Sequence, residues 1–82
     1  MHVTVVSPER AVFDGAADAV VAPAYDGQVG ILPGHAPFLA LLGTGVLAVR
    51  QGSASSRFTV AGGFLQVVGN AVRIVADRVE QS

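Results

Sequence analysis

No stretch of this sequence sustains a helical repeat over the ten residues a helix needs, because glycines, prolines and Asp/Asn turns interrupt every apolar run. The periodicity between interruptions is two, that of a strand with one dry face. His2–Ser7 is rich in Val and Thr and ends in the turn Ser7-Pro8-Glu9-Arg10. Ala11–Phe13 reads as a short strand closed by Asp14-Gly15, and Asp18–Ala24 as another, its Pro23 marking an edge or a strand end. Asp26-Gly27 is a tight turn before Gln28–Leu32. Two prolines and a glycine make Pro33-Gly34-His35-Ala36-Pro37 a loop. Phe38–Leu42 follows, then a break at Gly43-Thr44-Gly45, then Val46–Arg50 and the polar loop Gln51–Ser55. Arg57–Ala61, a second break at Gly62-Gly63, Phe64–Val68, the turn Gly69-Asn70 and Ala71–Asp77 complete the pass.

Eight or nine short strands in 82 residues have few ways to bury their apolar faces. The expectation is an all-β fold, a flattened two-sheet antiparallel sandwich or barrel, with residues 1–82 as one domain. A chain this short buries only about 60% of the surface it exposes when unfolded. Its 51% apolar content argues against disorder, and with no Cys, packing alone must hold it together.

Strand faces follow from the charges. Arg50 points to water, which turns Leu47 and Val49 inward, and Arg57 does the same for Phe58 and Val60. Arg73 and Asp77 share a wet face, leaving Val72, Ile74 and Ala76 for the core. Two strands do not sort cleanly: Val75 lies on the wet side of its strand, and turning Gln66 outward takes Phe64 and Val68 with it. Those residues read either as scattered surface apolarity or as part of a docking patch.

Chemistry is sparse. Five Arg against six Asp and Glu give a net charge of −1, and there is no Lys. That excludes the basic stripe of a nucleic-acid binder, a Schiff-base lysine, a P-loop lysine and a lysine carrying biotin or lipoate. Gly27–Val49 has no charge but contains Pro33, Pro37, five glycines, Gln28 and His35, so it does not read as a membrane span, and no secretory or transit pattern precedes it. His2 and His35 lack metal-ligand spacing, no serine sits in a nucleophile elbow, and Ala61-Gly62-Gly63-Phe64 has no helix behind it to cradle phosphate. The carboxylates Asp14, Asp18, Asp26 and Asp77 fall at turns and strand ends, as backbone chemistry favours. No catalytic, cofactor or metal site is expected. His35 reads first as a residue that locks its loop by bonding nearby backbone, and second as a partner contact.

Val3-Thr4-Val5-Val6-Ser7-Pro8-Glu9 with Val12-Phe13-Asp14-Gly15, the segment from Asp26 to Pro37, Gly45-Val46-Leu47, Val60 to Val67, and Asn70 to Asp77 occur in an order that resembles one family over nearly the whole chain. It is the N-terminal β-sandwich domain of the epsilon subunit of F-type ATP synthase. The resemblance implies about ten strands in two sheets, seated on the central stalk. It also implies a non-catalytic rotor subunit that binds the gamma subunit on one face and the polar loops of the membrane c-ring with its loops, without nucleotide or membrane insertion. Phe64, Gln66, Val68 and Val75 become candidates for the gamma interface. Tyr25, Asp26, Gln28 and His35 become candidates for rotor-ring contact, although Gln28 stands where relatives often carry a carboxylate, so an ionic contact is not carried over there and a hydrogen bond is what its amide can offer. Peripheral attachment to the cytoplasmic face of the bacterial membrane is implied as well. The family's two-helix C-terminal domain has no counterpart before Ser82, so its inhibitory and ATP-sensing roles are not carried over. The rival reading, a small β-barrel that binds a ligand, requires converging polar groups at inward positions, which here are Val, Leu, Ile, Phe and Ala.

Overall fold

A computed structural model describes residues 1–81. It contains eight strands and no helix: β1 (His2–Val6), β2 (Ala11–Ala16), β3 (Ala19–Ala24), β4 (Gly27–Ile31), β5 (Phe38–Leu41), β6 (Gly45–Gln51), β7 (Ala54–Val68) and β8 (Ala71–Gln81). Hydrogen bonding links them in the order β2-β1-β8-β7-β6-β3-β4, with β5 added to β7. β2 and β4 end that order, so the sheet folds on itself without closing into a barrel.

The fold turns on β7 and β8. The first half of β7 pairs with β6 and with the far end of β8, whereas its second half lies between β5 and the first half of β8. Gly62 and Gly63 mark the crossing, with φ of 69° and 104°. Two successive left-handed residues flip the pleat, so the buried positions are Phe58 and Val60 before the bend and Leu65 and Val67 after it. β8 changes face in step, from Val72, Ile74 and Ala76 to the half-buried Val79. Each long strand thus serves both layers, as strands do when a bend carries them between packed sheets. Gly63 cannot be replaced cheaply, because a side chain there would run into the Val75 carbonyl oxygen.

The space between the layers is filled by Val3, Val5, Val20, Ile31, Leu47, Val49, Phe58, Leu65 and Ile74, all at most 1% exposed. Phe13 of β2 meets Phe58 of β7 edge to face, with ring centroids 6.3 Å apart. That contact joins the two layers. No polar or charged side chain is buried among the described residues.

The expected sandwich and the inward residues of β6, β7 and β8 are all observed. Several details differ. The strands number eight, within the eight or nine read from the residues and below the ten or so that the resemblance implies, because the Gly62-Gly63 pair bends one strand where the sequence reads as a break between two. β2 runs on through Asp14-Gly15 to Ala16, and β8 continues past Asp77 to Gln81. The pairing is antiparallel except between β1 and β8, which are parallel.

Candidate docking face

The outer surface of the β2-β1-β8-β7-β5 layer is built from cross-strand rows whose members share a face. One row runs Leu41, Phe64, Val75, Val6, Ala11, and the next runs Leu39, Gln66, Arg73, Thr4, Asp14. Val68 opens a third row with Ala71, His2 and Ala16. The face is therefore divided. Toward β5 and β7 it is apolar, with Leu39 68%, Leu41 63%, Val68 56% and Phe64 38% exposed. Toward β1 and β2 it is mixed: Val6 and Ala11 continue the first row, while in the second the Asp14 carboxylate contacts the His2 imidazole beside Arg73 and Thr4.

Leu39, Leu41, Phe64 and Gln66 line an open apolar groove of about 560 Å³, floored by Ala40. All four residues proposed from sequence for the gamma interface lie on this one face. Phe64 and Val75 are direct cross-strand partners, and Gln66 and Val68 extend the same side of β7. Sequence reasoning missed Leu39 and Leu41. Phe38–Leu42 contains only one non-leucine, non-aromatic position, Ala40, and no charge to say which side is wet. Only the pairing of β5 with β7 shows that Phe38 and Ala40 face inward and the two leucines outward.

The four proposed rotor-ring residues are spread along the β3–β4–β5 path. Tyr25 and Asp26 form the exposed turn of the β3–β4 hairpin, and Tyr25 is 80% exposed. Its N–H donates to the Leu41 carbonyl at 2.8 Å, which ties this turn to the end of β5. Gln28 lies two residues on, opposite Pro23 and exposed. His35 lies beyond the other end of β4, about 10 Å of strand from Gln28 to Ile31 plus a turn. That turn is Leu32-Pro33-Gly34-His35: the His35 N–H donates to the Leu32 carbonyl at 3.2 Å, and Gly34 has φ of 84°. Proline second and a left-handed glycine third define a type II turn. The His35 Nδ1–H donates to the Ala36 carbonyl at 2.7 Å, and the ring tilts onto Phe38 with centroids 4.9 Å apart. The imidazole therefore locks its loop, as the first reading of the sequence expects. No side-chain hydrogen bond joins the four residues among those described.

These observations define a class: a small β-sandwich domain with a dry interior and its distinctive chemistry on the outside. The chain belongs to the ATP synthase delta/epsilon chain β-sandwich domain family, whose model matches residues 1–82. The ATP synthase epsilon chain of Symbiobacterium thermophilum is 46% identical over 81 residues, covering 98% of this chain and 58% of that relative. The corresponding chain of Leptospira borgpetersenii is 44% identical over 77 residues, covering 94% and 61%. This chain thus spans about three-fifths of the length of the curated relatives it matches. Among solved structures, a chain of the Euglena gracilis mitochondrial ATP synthase OSCP/F1/c-ring assembly superposes with a TM-score of 0.89 at 22% identity, covering 96% of this chain and 51% of that one. A chain of the Tetrahymena thermophila mitochondrial ATP synthase central stalk and c-ring gives 0.81 at 24%, covering 98% and 65%. At these identities the two structural matches speak for the fold.

Proposed function

We propose that this chain is a non-catalytic rotor subunit of an F-type ATP synthase, bound to gamma through its apolar face and to the c-ring loops through the β3–β4 turn and the β4–β5 loop. In that position it supports the coupling of proton transport to ATP synthesis, peripheral to the cytoplasmic face of a bacterial membrane. The observation that carries the proposal is the apolar panel of Leu39, Leu41, Phe64, Val68 and Val75, backed by a core with no buried polar side chain among the described residues. A panel of that kind beside a charged margin marks a protein-protein contact. A ligand-binding barrel is disfavoured, because the interior is packed with aliphatic side chains and the groove is open on the outside. Torque transmission needs a stiff body, and two layers sharing two continuous strands supply one.

The test is titration of the chain against purified gamma of the same synthase. Phe64→Asp and Leu41→Asp are each expected to weaken binding by more than about 2 kcal/mol, the range of an interface hot spot. Both side chains are exposed, so the chain should stay folded by circular dichroism. Unchanged affinity in both variants removes gamma from this face.

A further inference from the structure

The four strand edges of this sandwich are not equally protected. β2 carries Asp14, and the Ala16 carbonyl at its end accepts a hydrogen bond from Gln51 Nε2 at 2.7 Å. β5 is four residues long, and its Leu41 carbonyl is taken by Tyr25. The far end of β8 carries Asp77, Arg78 and Glu80. β4 has none of these devices: Gly27-Gln28-Val29-Gly30-Ile31 holds no charge, no proline and no irregularity of register.

Which groups of β4 are open follows from its neighbour. Pro23 lacks an N–H, and its carbonyl accepts from Gly43 on the side away from β4, at 2.8 Å. The β3–β4 ladder therefore uses the pairs Val20–Ile31, Ala22–Val29 and Ala24–Gly27. The N–H and C=O groups of Gln28 and Gly30 point the other way, and no strand flanks them among the described residues. We infer that β4 is a strand-addition site, which receives an extended segment of another protein, antiparallel, on the main-chain groups of Gln28 and Gly30.

The same geometry states the chemistry of that segment. On the core side its side chains would lie beside Val29, half-buried, and Ile31, fully buried, and must be apolar. On the outer side they lie beside Gln28 and Gly30, where small polar residues fit. An antiparallel segment leaves β4 past Asp26, an exposed carboxylate with no ion pair among the described residues, so a basic residue should follow the strand. A second copy of this chain fits less well, because pairing β4 with β4 through Gln28 and Gly30 sets Leu32, and not a basic residue, opposite Asp26.

The probe is the capped peptide Val-Thr-Val-Thr-Val-Lys, titrated to millimolar concentration against the 15N-labelled chain. Saturable amide shifts centred on Gln28 and Gly30 are expected, with slowed hydrogen exchange at both. The same peptide N-methylated at its two Thr nitrogens should bind about tenfold more weakly or not at all. Gly30→Pro should do likewise, as the lost N–H is not part of the internal ladder and no heavy atom lies within 4 Å of a Cβ placed there. If that variant loses its folded spectrum, the methylated peptide decides. Four results would overturn the inference: no saturable shift, equal binding of the methylated peptide, shifts centred on Leu39, Leu41 and Phe64, or protection of Gln28 and Gly30 that rises with chain concentration without peptide.

Discussion

At the scale of single residues, backbone conformation separates glycines that the sequence presents alike. Gly63 combines a φ of 104° with the Val75 carbonyl where its Cβ would go, while Gly30 has ordinary extended backbone and open space. Gly63→Ala should therefore lower stability by about 3 kcal/mol or more, the sum of left-handed strain and a backbone collision. Gly30→Ala should stay within about 0.5 kcal/mol of the parent, as a surface change with no special feature does. Urea denaturation of the two variants side by side checks both, and equal midpoints would refute the bend as the reason for glycine at Gly63. His35 offers a subtler contrast. Its Nδ1–H bond to Ala36 and its contact with Phe38 hold a loop, not the core, so His35→Ala should cost about 1 kcal/mol, the worth of one hydrogen bond. Hydrogen exchange should rise at residues 33–37 and not in β7 or β8; faster exchange throughout the sheet would mean that the imidazole has a wider structural role.

Elements show which parts of the fold can be read from sequence and why others cannot. The inward faces of β6, β7 and β8 were legible because each strand carries a charge whose side is settled by solvation: Arg50, Arg57 and Arg73 fix Leu47, Phe58 and Ile74. The β5 face was not legible, because Phe38–Leu42 has no charge to orient it. The parallel pairing of β1 with β8 was also hidden, since it joins segments about seventy residues apart with no turn between them to set the register. Gly62-Gly63 was recognised as an interruption, but two glycines read the same whether a strand ends or bends, and only the switch of buried parity across them tells which. β7 follows from this as the element that holds both layers. Phe58→Ala, which removes the edge contact with Phe13, should destabilise the chain by about 3–5 kcal/mol. Val68→Ala on the same strand, 56% exposed, should fall below about 1 kcal/mol. Comparable losses for the two would contradict the division of β7 into a dry side and a panel side.

For the whole molecule, the distribution of charge sets how it should associate. A net charge of −1 on 82 residues gives little long-range field, and the charged groups on the panel's own face, Arg73 and Asp77 two residues to either side of Val75 and Asp14 on β2, border it and do not fill it. The exposed area at the centre belongs to Leu39, Leu41, Phe64 and Val68. Binding of gamma to this face should then be driven by apolar burial, with a negative heat-capacity change on association. Raising ionic strength shortens the Debye length from about 10 Å at 0.1 M to 3 Å at 1 M, which removes attraction between charges but leaves apolar contact intact. The dissociation constant should accordingly shift less than about threefold over that range, whereas an interface held by ion pairs would weaken by an order of magnitude or more. Calorimetric titrations at several temperatures and two salt concentrations measure both quantities. A steep loss of affinity with salt, together with a heat-capacity change near zero, would move the docking site off the β5–β7 panel and onto the charged margin formed by β1 and β2.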